Sequence, residues 1–271
     1  ASPYGIGTFG TEAYNFVDFV KKCNHKYWQV LPLGPTTYGD SPYQSFSAFA
    51  GNPYFIDLDM LVEEGLLNKS ELLCRDWGDG HVPVNVSEDD ALNGRYTDNR
   101  DINLGNESYV SYEKMYKVRF EVLHIAFDRF KNNDNEADEY DRFITDNEFW
   151  LPDYALFMAL KDANGGVAWF EWEKDLKTRK TEALKEARVT YAEDIAFYKM
   201  LQYLFFKQWR ELKAYANENG IDIFMNMYHF DMPEYLYKRG GWANREVVEA
   251  YANFVKKAME EFGGKVKYWF T

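Results

Sequence analysis

Apolar side chains recur every three or four positions through the middle of the chain, which predicts a long helical region. The pattern holds from residue 108 to residue 218 and has the period of one face of an α-helix. Its two clearest stripes are Tyr116, Phe120, Leu123 and Phe127, and Phe197, Leu201, Leu204, Phe205 and Trp209. Pro152 suits the first turn of one helix, and Gly220 suits the position just after the end of the last one.

Three short apolar runs predict buried strands, at residues 27–33, 221–228 and 265–271. A helix capped by Asn244 and stopped by Gly263 separates the last two runs, and strand, helix, strand is the order of a βαβ unit. The predicted fold class is therefore α/β, as a partial (β/α)8 TIM-type barrel with an inserted α-helical subdomain. A complete barrel of this type has eight strands.

The same pattern divides the chain into three predicted segments. Residues 1–75 form a first barrel segment, residues 76–200 a mainly helical insertion, and residues 201–271 a second barrel segment. A long loop rich in Gly, Pro, Ser and Tyr follows the first predicted strand, at residues 34–55. Because α/β folds place ligand contacts in the loops after their strands, this loop is the candidate binding surface.

Charge and composition limit the kinds of molecule that this protein binds and the compartment in which it is expected. The 271 residues include 31 basic and 44 acidic side chains, a net charge of −13, which argues against nucleic acid and anionic membranes. No apolar run approaches the roughly 18 residues of a membrane helix, and no signal peptide is evident. Cys23 and Cys74 lack metal-site spacing, so we predict no metal site and two buried or semi-buried thiols in a reducing compartment. We also predict no cofactor and a cytoplasmic location. Aromatic residues make up 18% and indicate either a large aromatic core or a ligand cleft.

Residues 27–53, YWQVLPLGPTTYGDSPYQSFSAFAGNP, resemble the 4-α-glucanotransferase (amylomaltase) family almost residue for residue. Residues 3–10, 150–162 and 203–220 resemble it as well, so the resemblance covers about residues 1–222. It implies α-1,4-glucan disproportionation, in which a glucan segment moves between oligosaccharides through a covalent glycosyl-enzyme. The implied partner is an α-glucan or maltooligosaccharide.

The resemblance also implies three sugar contacts in the loop, Tyr38, Ser41 and Tyr43. A phenol ring stacks on the apolar face of a pyranose, and its hydroxyl bonds a sugar hydroxyl. The alternative is that these side chains only fix the shape of the loop.

Past about residue 222 the chain looks like another family. Residues 226–233, 240–246 and 266–271 resemble the β-glucosidase and 6-phospho-β-glucosidase family, which indicates a chimera joined near residues 220–224. One lineage with an unusual third strand is the alternative. His229 would then bind the sugar, or serve as a structural histidine. Asp231 is the best-placed carboxylate at that rim.

Both families are retaining, so each needs a nucleophile and an acid/base carboxylate about 5–5.5 Å apart. The motifs that carry these carboxylates in the two families do not occur in this chain, which ends at Thr271. We therefore predict no catalytic residue, and no activity for the chain as it stands. The alternatives are a non-catalytic α-glucan-binding or structural barrel fragment, and a β-glycosidase fragment. Open barrel edges predict self-association.

Overall fold

The computed structural model describes residues 2–36, 41–80, 83–96, 110–222, 224–228 and 232–270. Contacts divide the chain into two compact units: Ala1–Tyr14 with Val30–Leu212, and Asn15–Gln29 with Lys213–Thr271. The division at residues 75 and 200 follows sequence pattern alone and stays a prediction.

Helices account for most of the described chain, as the periodicity predicts. They are α1 (Thr11–Lys22), α2 (Leu58–Glu63), α3 (Lys69–Leu73), α4 (Glu88–Leu92), α5 (Tyr112–Lys114), α6 (Phe120–Phe130), α7 (Ala137–Asp146), α8 (Leu151–Ala163), α9 (Lys174–Lys177), α10 (Thr181–Thr190), α11 (Ala192–Glu218), α12 (Glu234–Lys238) and α13 (Arg245–Phe262). A π-helical segment, Met115–Arg119, joins α5 to α6. Short 3-10 turns lie at Pro53–Phe55, Asp134–Glu136, Trp169–Glu171 and Gly241–Ala243.

The predicted helix ends are confirmed where local chemistry sets them. Pro152 lies in the first turn of α8, where a missing N–H costs nothing. Gly220 follows α11 with φ +79, a left-handed conformation that glycine adopts without strain. The side chain of Asn244 accepts a hydrogen bond from the backbone N–H of Glu246 (3.0 Å) and so caps α13.

The second unit contains a parallel strand pair, β1 (Phe224–Asn226) and β2 (Tyr268–Phe270). Phe224 pairs with Tyr268 and Asn226 with Phe270, and α13 lies between the strands in sequence. The predicted βαβ unit is therefore confirmed, with strands shorter than predicted. These are the two strands of the described residues, and the barrel itself stays a prediction.

The strand predicted at residues 27–33 is wrong, because this segment forms no ladder in the described structure. Isolated backbone hydrogen bonds occur just before this segment and at its end. The Lys26 carbonyl accepts from the Asp222 N–H (2.7 Å), and the Leu33 carbonyl accepts from the Asn52 N–H (2.8 Å). Leu31 is exposed rather than buried. An apolar run forms a buried strand only when neighbouring strands pair with it and other residues cover its faces. The described residues supply no such strand here.

Two glutamines on α11 hold the backbone of the candidate loop in the first unit. The Gly51 N–H donates to Gln202 Oε1 (2.8 Å), and Gln202 Nε2 donates to the Gly51 carbonyl (3.0 Å). Six residues on, Gln208 bonds the N–H (2.7 Å) and the carbonyl (3.1 Å) of Asp57 in the same way. Both glutamines are fully buried, so they satisfy backbone groups that water does not reach.

The loop also approaches α11 closely at Gly51. A Cβ at this position would lie 2.1 Å from ring carbons of Phe205, which is far inside van der Waals contact. The absence of a side chain therefore lets the backbone come close enough to reach Gln202.

The prediction of buried or semi-buried thiols is wrong, since Cys23 and Cys74 are both exposed, and neither forms a disulfide. Among the described residues, no helix has the length and apolar character needed to cross a membrane.

We predict that Gln202→Leu destabilises the chain by about 2–4 kcal/mol, because it leaves a buried N–H and a buried carbonyl of Gly51 without partners. Urea denaturation followed by circular dichroism measures the change. The matched control is the exposed Gln44, whose replacement by Leu should alter the free energy of unfolding by less than about 0.5 kcal/mol. Equal values for the two variants would contradict the anchoring role of Gln202.

We predict that the chain self-associates, because the outer edges of β1 and β2 pair with no other strand of the described residues, and the exposed side chains of Phe224, Met225 and Phe270 lie beside them. Light scattering after size exclusion should give a mass above 31.9 kDa. Phe270→Lys should reduce that mass, whereas Val189→Lys, at an exposed position of α10, should not. A monodisperse 31.9 kDa monomer with a cooperative melt would contradict the prediction.

Candidate functional site

The candidate site starts with a tight turn at residues 41–44. The Gln44 N–H donates to the Ser41 carbonyl (3.1 Å), and the Tyr43 N–H donates to Ser41 Oγ (3.4 Å). Ser41 is half-buried, while 57% of Tyr43 is exposed. The structure thus brings together two of the four predicted sugar contacts. The other two, Tyr38 and His229, lie outside the described residues, as does Asp231.

Serine side chains fix the next few residues of the loop. Ser45 Oγ donates to the Ser47 carbonyl (2.8 Å), and Ser47 Oγ accepts from the N–H groups of Phe49 (3.3 Å) and Ala50 (3.1 Å). These local bonds replace secondary structure in a segment that has none. They fix the backbone between the turn at Ser41–Gln44 and Gly51, and Gln202 holds the backbone at Gly51.

A buried polar cluster supports the end of the loop. Asp57 accepts from the Thr8 hydroxyl (2.5 Å) through one oxygen and from the Met60 N–H (3.0 Å) through the other, which caps α2. Arg119 is fully buried and donates to the Ile56 carbonyl. Burial lowers the pKa of Arg119 to about 10, partly offset by the charge of Asp57, so the guanidinium stays charged at neutral pH.

An open cleft of about 360 Å³ lies between this loop and α8. One stripe along α8 faces it, with residues spaced at the three- and four-residue steps of a helix face. The lining residues are Phe46, Ser47, Ala48, Phe49, Trp150, Asp153, Tyr154 and Phe157. Phe46 stacks parallel to Tyr154 (6.4 Å between ring centroids), and Phe49 stacks on Trp150 (6.0 Å). We refer to this cleft as the aromatic groove.

Charged side chains border the aromatic groove. Asp153 pairs with Arg179 (2.7 Å) and lies 3.6 Å from Arg188. Lys161 Nζ lies 5.1 Å from the centre of the Phe46 ring, within the range of a cation–π contact. The groove therefore combines apolar ring faces with hydrogen-bonding groups at its edge.

Two described carboxylates have a pKa raised by burial, and neither lies on the turn at Ser41–Gln44. Glu64 pairs with Lys207 (2.9 Å), and Asp162 accepts a hydrogen bond from Tyr198. Each carboxylate is thus bonded to another side chain, and the two do not form a pair with each other. In the part of the chain that the structure covers, no three His, Cys, Asp or Glu side chains cluster as metal ligands would.

Sequence reasoning missed the groups that shape this site. Gln202 and Gln208 lie six residues apart on α11, on a face that is otherwise buried and apolar. Two amide side chains within an apolar stripe are the feature of the sequence that indicates buried hydrogen bonds. Helical periodicity predicts α8 itself but not the loop that its exposed edge faces.

Known proteins match most of this chain. A family model described as 4-alpha-glucanotransferase matches residues 1–254. The 4-alpha-glucanotransferase of Clostridium butyricum is 42% identical over 246 residues, which cover 90% of this chain and 44% of that protein. The Thermus thermophilus protein of the same name is 42% identical over 227 residues, or 83% of this chain and 39% of its own length. The chain thus spans less than half the length of these relatives.

A solved structure matches as well. The amylomaltase from Streptococcus agalactiae, in complex with acarbose, is 39% identical and superposes with a TM-score of 0.67 over 83% of this chain and 40% of its own. The family match continues past residue 222, to residue 254, so it does not support the predicted change of family near residues 220–224. The chain belongs to the 4-alpha-glucanotransferase family.

Proposed function

We propose that this chain forms an α-glucan-binding part of a 4-α-glucanotransferase. The observation that carries the proposal is the Ser41–Tyr43 turn, which combines an exposed phenol ring with a loop held by Gln202. The family match and the relative that binds acarbose support a maltooligosaccharide as the ligand. Tyr38 belongs to the same proposed surface by sequence.

Rigidity of the loop is what makes this turn suitable for binding. Hydrogen bonds at Ser45, Ser47 and Gly51 fix the backbone on which Tyr43 lies. A preformed site loses less conformational entropy on binding, so more of the stacking energy becomes affinity. The Tyr43 ring then covers one face of a glucose unit, and the hydroxyl of Ser41, on the same turn, is the second proposed contact.

The proposed whole reaction is a retaining transfer. A carboxylate attacks the anomeric carbon and displaces the reducing-side glucan, whose oxygen takes a proton from a carboxylic acid. The hydroxyl of a second glucan then gives its proton to that group and displaces the enzyme carboxylate. Glu64 and Asp162, the described carboxylates with raised pKa, are bonded to Lys207 and Tyr198, so neither is assigned a part in this reaction.

We predict that this chain alone does not disproportionate maltotriose. The expected chromatogram contains maltotriose only, because no nucleophile and acid/base pair is assigned to these residues. The Clostridium butyricum relative serves as the positive control. A ladder of glucose and longer maltooligosaccharides that disappears in Asp231→Asn would contradict this prediction.

We predict that Tyr43→Ala weakens maltoheptaose binding about fivefold, the loss of roughly 1 kcal/mol expected for one stacking aromatic ring. Titration calorimetry with the parent and the variant measures it. Tyr43→Phe keeps the ring and should retain most of the affinity. Equal affinities of the parent and Tyr43→Ala, or no binding by the parent, would contradict the proposal.

A β-glucosidase origin of residues 223–271, with His229 as a sugar contact, is a separate proposal. The motif resemblance is what supports it. The family match to residue 254 weighs against it. Sequencing of the source DNA across codons 215–230 decides whether the join is natural.

A cytoplasmic location goes with the proposed function. Two exposed thiols that remain unpaired suit a reducing compartment.

A further inference from the structure

The edge of the aromatic groove carries more positive than negative charge. Arg179 pairs with Asp153 (2.7 Å), and a nitrogen of Arg188 lies 3.6 Å from the same carboxylate. Lys161 Nζ lies 5.1 Å from the centre of the Phe46 ring. These three cations exceed the one carboxylate by two charges. Because the whole chain has a net charge of −13, an edge of opposite sign is a local exception, and it favours an anionic ligand.

Both arginines at this edge keep donors that a ligand can use. A guanidinium has five N–H donors in a planar fork that matches the oxygens of a phosphate or a carboxylate. Among the described residues, Arg179 makes one side-chain hydrogen bond, from Nη2 to Asp153, and its side chain is 60% exposed. The side chain of Arg188 is 46% exposed. An anion can therefore bond both guanidinium groups while Asp153 holds them beside the groove.

The backbone at Arg179 is one that favours glycine. Its φ is +56, in the left-handed region, and it directly follows Thr178, the C-cap of α9. The N–H groups of Arg179 and Lys180 donate to the carbonyls of Leu176 (3.0 Å) and Asp175 (2.9 Å). This is the hydrogen-bond pattern of a helix end at which glycine is the usual residue. An arginine is strained here, and strained residues of this kind cluster at ligand sites.

Stacked rings form the wall of the groove beside this charged edge. Phe46 lies parallel to Tyr154 (9° between the planes), and Phe49 lies nearly parallel to Trp150 (23°). Phe49 is 54% exposed, and the exposed ring of Phe149 meets it edge-on (5.3 Å between centroids). Planar aromatic groups stack on such faces. Nucleobases in particular bind proteins by stacking on aromatic side chains.

Volume and charge together identify the class of ligand. The groove has a volume of about 360 Å³, within the range of small-molecule sites. A phosphate monoester carries a charge of about −1.5 to −2 at neutral pH and three strong acceptor oxygens, which matches the excess of positive charge at the edge. An aromatic carboxylate would neutralise less of it. A nucleoside monophosphate combines one planar aromatic base with one such phosphate.

We propose that the aromatic groove is a binding site for a nucleoside monophosphate. The base stacks on Phe49, which Trp150 supports from within the groove. The phosphate accepts hydrogen bonds from Arg179 and Arg188, and Lys161 adds positive charge at the edge. This site goes beyond the proposed function and does not rest on it.

Titration calorimetry with adenosine 5′-monophosphate tests the proposal. Adenosine and inorganic phosphate serve as probes of the two halves of the ligand. Each should bind at least about tenfold more weakly than the nucleotide, because adenosine lacks the charge-assisted hydrogen bonds and phosphate lacks the stacking ring.

Two variants test the assigned contacts. Arg179→Gly should weaken nucleotide binding roughly tenfold, the effect of losing a hydrogen bond between charged groups. It should not lower the melting temperature by more than about 2 °C, since glycine adopts this φ without strain. Phe49→Leu keeps an apolar side chain without the ring and should weaken binding roughly fivefold. Arg239→Gly is the matched control, because Arg239 is 62% exposed and pairs with Glu246 (3.3 Å).

The outcomes decide between a nucleotide site and a structural ion pair. Weaker binding by both variants, with melting curves like that of the parent, supports the proposal. It is overturned if the parent binds no nucleotide, if inorganic phosphate binds as tightly as the nucleotide, or if Arg179→Gly binds like Arg239→Gly. If Phe49→Leu lowers the mass of a self-associated species and leaves nucleotide affinity unchanged, the groove is a contact between copies of the chain and the proposal is likewise overturned. Maltoheptaose binding is measured separately, so none of these results alters the test of the proposed function.

Discussion

The candidate site depends on one physical requirement, that buried backbone groups of an irregular loop find hydrogen-bond partners. Regular helices meet this requirement internally, but the described part of the loop before α2 pairs with no strand among the residues that the structure describes. Gln202 and Gln208 act as surrogate backbone, since a carboxamide presents the same donor and acceptor as a peptide group. The close approach of Gly51 to Phe205 makes the first of these bonds geometrically possible.

Buried charge is the second element of this support. Arg119 lies in the core with two of its nitrogens unpartnered in the described structure, and Asp57 is the opposite charge that acts on it most strongly. A buried ion is tolerated only where hydrogen bonds and an opposite charge offset its lost hydration. The carbonyl of Ile56 and the carboxylate of Asp57 supply that compensation at the junction between the loop and α2. These polar groups fix the end of the loop where it meets α2.

The sequence predicted features that are decided within a few residues. Pro152 in the first turn of α8 and Asn244 as the cap of α13 follow from local backbone chemistry, and the apolar stripes follow from helix geometry. The strand expected at residues 27–33 failed because strand pairing is a property of two segments, and one apolar run does not specify its partner. The turn at Ser41–Tyr43 was found through motif resemblance, whereas the groove was not, because its walls are far apart in sequence. The family was identified correctly, but its boundary near residue 222 was not supported by the match to residue 254.

The two exposed thiols have a practical consequence for observing this molecule in solution. Cys74 belongs to the unit that contains the candidate loop, and Cys23 belongs to the unit that contains the strand pair. They are the two cysteines of the sequence, so a donor and an acceptor dye coupled through maleimide chemistry would label each unit once. Energy transfer between the dyes would then follow the separation of the units, on single molecules, as glucan is added.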